Sequence, residues 1–178
     1  MRNVVSSFTI MNLKKYFSLI IFLVFFSTTT IAQEINCSPR NGGIIKCTTG
    51  ISNFIIKTND IEALAWEAMS IIQQHRTIFA FRVLSASQNW QWKNTAELRF
   101  ILDSETLLFH IQEIQTKVED GDKIEDLAII IPKDKLIRIA NSQSIRVLID
   151  NDLFLIKSNK IKLIAKLIKR TELKKKDL

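Results

Sequence analysis

The chain has 178 residues, 47% of them apolar and 24% charged, with a net charge of +7 from 25 basic and 18 acidic side chains. The basic excess is local: residues 157–178 hold nine basic and two acidic side chains. A single basic face with no supporting motif argues against nucleic acid as a partner, and the lack of any repeat of 20–50 residues excludes a solenoid.

At the N-terminus Lys14 and Lys15 precede an apolar run from Tyr16 to Phe26, broken only by Ser18. Ser27, Thr28, Thr29 and Thr30 then lead into Ile31, Ala32 and Gln33. A charged flank, a short apolar core and small residues at the end match a secretory signal peptide, the other reading being an uncleaved N-terminal anchor. The run is too short for a spanning helix, which needs about 20 residues. Thr30 and Ala32 suit the positions before the cut, so cleavage is expected after Ala32, leaving residues 33–178 as one exported domain. Met11 starts a more typical leader than Met1 does. Arg2, Lys14 and Lys15 leave with the leader, and no acidic residue does, so 22 basic side chains face 18 acidic ones in the remainder. The expected compartment is the periplasm or the outside of a bacterial cell.

Cys37 and Cys47 are the only cysteines. Export places them in an oxidising compartment, and Pro39, Gly42 and Gly43 supply a turn between them, so a disulfide is expected. Closing so short a loop stabilises by roughly 2–3 kcal/mol in the chain-entropy account. Asn36 begins an N-glycosylation sequon, which matters only in a eukaryotic secretory route.

Ile44–Thr48 and Ser52–Lys57 read as short strands on either side of Gly50. Asn59 or Asp60 then fits the cap of a helix over 60–74, whose stripe is Ile61, Leu64, Ala65, Ala68, Met69 and Ile72. Trp66 falls off that stripe. Ile78–Ser85 is aromatic and β-branched, hence a strand, and "ASQNWQW" follows as a polar turn. Glu97–Leu102 is a strand. After a turn at Asp103 and Ser104, residues 105–118 continue by alternation, with Leu107, Phe109, Ile111 and Ile114 on one face. "EDGDKIED" reads as an acidic loop before a short strand, Ala128–Ile131.

Pro132 opens a helix with Leu136, Ile137 and Ala140 inward. Ile145, Val147 and Ile149 alternate in a strand, and Asp150-Asn151-Asp152 turns it into a hairpin with "LFLIKS". Ser158 or Asn159 caps a final helix with Ile161, Ile164, Ala165 and Ile168 in its stripe, Leu163 and Leu167 beside it, and lysines opposite. The tail "KKKDL" is expected to fray. These elements sum to an α+β, mostly β fold: an antiparallel β-sandwich-like core of six or seven strands. A short helix in the N-terminal half and an amphipathic C-terminal helix complete it.

The order "RVLSASQNW…AELRFILDSETLLF…AIIIPKDKLIRIANSQSIRVLIDNDLFLIKSNKIKLIAKLI" resembles a diffuse class of uncharacterised exported bacterial proteins. The shared features are a strand ending near a Ser-x-x-Trp turn, a hairpin, and an ending of helix, strand, turn, strand and helix. The resemblance covers about Ile78 to Lys169. It implies a β-sandwich-like fold with a closing helix, and it assigns no catalytic residue.

Candidate chemistry is sparse. His110, near Glu113, and His75 are the only imidazoles, and no nucleophile motif, metal-ligand spacing or cofactor fingerprint accompanies them. The acidic residues Glu119, Asp120, Asp122, Glu125 and Asp126 miss the calcium-loop pattern, because Ile124 holds the third acidic position and Gly121 comes too early. Asp103 and Glu105 form a carboxylate pair of the glycosidase kind only if the turn there does not explain both. Trp90 and Trp92 share a face if their segment is a strand, and two exposed indoles would make a platform for sugar or peptide. Lys160, Lys162, Lys166, Lys169 and Arg170 would face an anionic membrane surface if the last helix lay on one. The leading expectation is a non-catalytic accessory or binding module with a protein partner in the cell envelope. The alternatives are a small envelope hydrolase and a peripheral membrane protein.

Overall fold

The computed structural model describes residues 35–54, 61–74 and 76–176. The leader over 1–32, the strand beyond Phe54, the caps Asn59 and Asp60, His75 and the last two residues of the tail lie outside them.

Two antiparallel sheets face each other. The larger contains β1 (Asn36–Arg40), β2 (Ile44–Thr48), β3 (Ser52–Asn53), β4 (Ile61–Gln73), β5 (Arg76–Ser87), β8 (Glu113–Glu119) and β9 (Asp122–Ile131), in the order β1-β2-β4-β5-β9-β8. β3 lies beside β2 along the same side of β4. The smaller contains β6 (Glu97–Ile101), β7 (Thr106–His110), β10 (Ile145–Ile149) and β11 (Asp152–Ile156), in the order β11-β10-β6-β7. Two helices, α1 (Lys133–Asn141) and α2 (Ser158–Lys176), pack on each other, and α2 also packs on β4 and β2. The antiparallel, sandwich-like α+β architecture expected from the pattern is what the chain adopts.

The core follows period-two alternation. Phe79, Phe81 and Val83 of β5 and Leu127, Ile129 and Ile131 of β9 are buried on one face. They meet Leu98 and Phe100 of β6, Val147 and Ile149 of β10, and Phe154 of β11. Phe81 sits edge-on to Phe100, with centroids 5.0 Å apart, and stacks on Trp66 at 5.3 Å. These ring pairs add about 0.5–1.5 kcal/mol each beyond the area they bury.

The helix expected over 60–74 is a strand instead. β4 is hydrogen-bonded on both sides, to β2 and β3 on one and β5 on the other. Its even positions, Leu64, Trp66, Ala68, Ser70 and Ile72, are all buried, and its odd positions Glu67 and Met69 are nearly so. Apolar side chains also stand at the odd positions Ala65, Met69 and Ile71, which blurs the alternation in the sequence, and residues of high helix propensity add a helical stripe. Trp66, which the helical stripe could not place, is 0% exposed.

Other local expectations also shift. The run 105–118 is two strands in different sheets, β7 in the smaller and β8 in the larger, because the chain crosses between layers at Ile111 and Gln112. The acidic stretch is a hairpin with Asp120 and Gly121 at positive φ (52° and 93°), and β9 starts at Asp122 rather than Ala128. In α1 the buried residues are Leu136 and Ile139, while Ile137 is exposed. In α2, Ile161, Leu163, Ile164, Leu167 and Thr171 are buried and Ala165 is exposed.

The Cys37–Cys47 disulfide joins facing residues of β1 and β2, with Cα atoms 4.0 Å apart. Such bonds persist mainly in oxidising compartments. Thr171 Oγ1 donates to the Leu167 carbonyl (2.8 Å), so the Ser70 hydroxyl is the donor in its 2.6 Å bond to Thr171, tying α2 to β4.

Candidate ligand-binding cleft

Residues 88–96 carry the chain from β5 in one sheet to β6 in the other. The segment is polar and irregular, and its position is fixed by side chains from three strands. Glu125 of β9 is 0% exposed, and its carboxylate accepts the backbone N–H of Gln91 (2.8 Å) and of Trp92 (2.9 Å). Trp92 is 1% exposed, packs edge-on to Phe154 with centroids 5.7 Å apart, and donates its indole N–H to Asp152 at 2.9 Å. The Thr95 N–H returns to the Trp92 carbonyl (2.9 Å), and the Ser87 hydroxyl donates to the Asn89 carbonyl.

Trp90 and Trp92 therefore do not form a shared platform. The segment between them is not a strand, so residues two apart do not share a face. Trp92 is a core residue with a satisfied indole. Trp90 remains half-buried at the surface, with Lys93 Nζ 5.9 Å and Lys123 Nζ 6.0 Å from its ring centroid. Both lie within the range of cation–π attraction, about 0.5–1 kcal/mol each at exposed sites.

A cleft of about 580 Å³ opens beside this ring, lined by Trp90, Lys93, Asn94, Glu97, Arg99 and Asp150 among others. Glu97 and Arg99 come from the outward positions of β6 and pair at 3.3 Å. Asp150 stands at the tip of the β10–β11 hairpin in a left-handed conformation (φ 53°), which aspartate tolerates better than most residues. The volume lies within the usual range for small-ligand sites, about 300–1,000 Å³. The lining offers one flat apolar surface, two amides (Gln91 and Asn94), carboxylates and cations. That set suits a ring-shaped ligand bearing many hydroxyls.

The other sequence candidates lie elsewhere. Lys162, Lys166, Lys169 and Arg170 are exposed on α2 and Lys160 is half-buried, but the apolar stripe of that helix is turned onto β4, β2 and α1. No helix among the described residues is long and apolar enough to cross a membrane. His110 is exposed at the end of β7, opposite Glu97 in register, and is not among the residues lining the cleft. Asp103 accepts the backbone N–H groups of Gln143 (2.7 Å) and Ser144 (3.0 Å), and Glu105 pairs with Arg138. Both carboxylates thus serve the turn after α1 and its side.

The acidic residues around the β8–β9 hairpin are also dispersed. Glu119 pairs with Lys117, and Asp126 takes a bidentate bond from Arg82, which reaches Glu67 at 3.2 Å as well. The bond to Asp126 does most to raise the Arg82 pKa above its ordinary value, against the opposing effect of burial. Among the described residues no group of three or more His, Cys, Asp or Glu could hold a metal ion.

Sequence reading missed Glu97, Arg99 and Lys123, took Glu125 for one of the acidic residues of a solvated loop, and read Asp150 only as a turn residue. One signal was available: Glu125, Leu127, Ile129 and Ile131 alternate, so Glu125 continues a buried face and must find donors there. Comparisons with protein-family models, with curated proteins and with solved structures returned no match.

Proposed function

We propose that this chain is an exported, non-catalytic binding module that holds a saccharide in the cleft beside Trp90. One observation carries the reading: a half-buried indole is presented at the mouth of a polar cleft by a segment pinned to Glu125 and Asp152. A pre-organised aromatic surface loses little freedom on binding, so more of its contact energy appears as affinity. The polar lining suits hydroxyl groups, and the ring suits the apolar face of a sugar. Export is supported by the leader pattern from Lys14 to Ala32 and by the disulfide. The protein then belongs to the periplasm or the exterior, where saccharides of the envelope are within reach, and a protein partner there would deliver the bound material.

Titration of the purified chain with a panel of envelope oligosaccharides, followed by indole fluorescence, tests this. Truncating an aromatic anchor costs about 2 kcal/mol or more, so Trp90→Ala should weaken binding by about 30-fold or more. The melting temperature should barely move, because Trp90 is not in the core. Unchanged affinity in Trp90→Ala would end this reading. Mass spectrometry of the mature N-terminus tests the export half: a first residue of Gln33 is expected, and a retained Tyr16–Phe26 run would replace secretion by tethering.

A further inference from the structure

We infer that the cleft selects acidic saccharides, sugars carrying a carboxylate on the ring, through Lys93 in its lining and Lys123, which reaches the same indole from outside that lining; this rests on the saccharide reading above. Both ammonium groups lie against the one indole, 5.9 and 6.0 Å from its centroid. Among the described residues neither makes an ion pair. Glu97 is engaged by Arg99 at 3.3 Å, and Asp150 lies beyond ion-pair distance of either lysine. Lys123 is half-buried on β9, two residues before Glu125, so the strand that pins the segment also places this charge.

Two like charges held near one aromatic ring repel each other, and an anion that both flexible stems can reach relieves that repulsion. A neutral sugar on Trp90 would displace an ammonium from the ring and offer it only neutral hydroxyl acceptors. A sugar with a ring carboxylate does both jobs: its apolar face takes the indole, and its charge takes the two ammonium groups on their flexible stems. Asn94 and Asp150 then meet hydroxyls at the far side of the ring. An acidic peptide offers the charge but no flat, hydroxyl-edged face for Trp90 and the amides.

Isothermal titration of the full exported chain with trigalacturonate, with its fully methyl-esterified form and with triglutamate separates these readings. The acid should bind about tenfold tighter than the ester, which is the scale of two partly exposed ion pairs. That gap should close at high salt and in Lys93→Met/Lys123→Met, while Trp90→Ala should lose both sugars. Equal affinity for acid and ester, still lost in Trp90→Ala, would overturn acid selection and leave the saccharide site standing. Binding of neither sugar would remove the saccharide reading itself. Triglutamate binding as tightly as trigalacturonate would show that the lysines answer to charge alone, and would refute the proposed ligand class.

Discussion

Replacing Glu125 by alanine tests whether the Trp90 segment is held from below. The carboxylate is fully buried and accepts two backbone N–H groups at 2.8 and 2.9 Å. Hydrogen bonds to charged groups contribute about 1.5–3 kcal/mol each, and donors left unpartnered cost more than bonds never made. Against this stands the relief of burying one charge fewer, with no cation paired to it among the described residues. The net expectation is a loss of about 2–4 kcal/mol, or a fall in Tm of about 6–15 °C for a domain of this size. Glu125→Gln keeps one acceptor and turns an amide donor toward the second N–H, so its loss should be about half as large. Thermal unfolding by circular dichroism measures the stability. The near-ultraviolet signal of Trp92 against Phe154 reports the segment's position, and ligand titration reports the cleft. A Glu125→Ala chain that melts within 2 °C of the parent and keeps its indole signal would show that the segment stands without this clamp. The pre-organisation argument for the cleft would then fall.

Further outcomes follow from other contacts. Reducing the Cys37–Cys47 disulfide, or replacing both residues by serine, should cost about 2–3 kcal/mol in thermal unfolding with and without reductant. Arg82→Met leaves Glu67 and Asp126 facing each other on the outer side of the larger sheet. It should cost about 1–3 kcal/mol by urea unfolding, less than a fully buried pair because Arg82 retains 29% side-chain exposure. The Glu172 carboxyl has its pKa lowered, chiefly by its bond from Lys133, and this pair links α2 to α1. A lowered folded-state pKa adds stability above the unfolded value, and that stability is lost as pH falls through the folded one. Glu172→Gln should therefore abolish a small acid-side slope below about pH 4.5, seen as converging melting curves of parent and variant. A synthetic peptide of residues 60–74 should turn helical in trifluoroethanol, read by circular dichroism, although Ile61–Gln73 within it form β4; a peptide that stays coil or strand would show the propensity argument to be misplaced.

By itself the sequence determined the features that need only neighbours along the chain. The turn residues between Cys37 and Cys47 bring the two strands back on each other. The alternation of Ile145, Val147 and Ile149, and the turn at Asp150-Asn151, specify the β10–β11 hairpin. The spacing of Ile161, Ile164 and Leu167 specifies a docked α2. Each is a local period or a local backbone preference, and each survives folding because the core asks for the same thing.

Only the tertiary structure decided the rest. Residues 61–73 are helix-prone, yet they are a strand because β2, β3 and β5 supply hydrogen-bond partners on both sides and the core takes the even-numbered side chains from Leu64 to Ile72. Trp90 and Trp92 are similar in the sequence and opposite in place: Asp152 and Phe154, sixty or more positions away, take Trp92 inward. Glu125 looks like one more acid in a polar stretch until the alternation of β9 turns it into the core, where two backbone donors from residues 91 and 92 meet it. The cleft is assembled from the 88–96 segment, β6 and the β10–β11 hairpin, with β9 holding the segment through Glu125, and no local period encodes contacts made across that much chain.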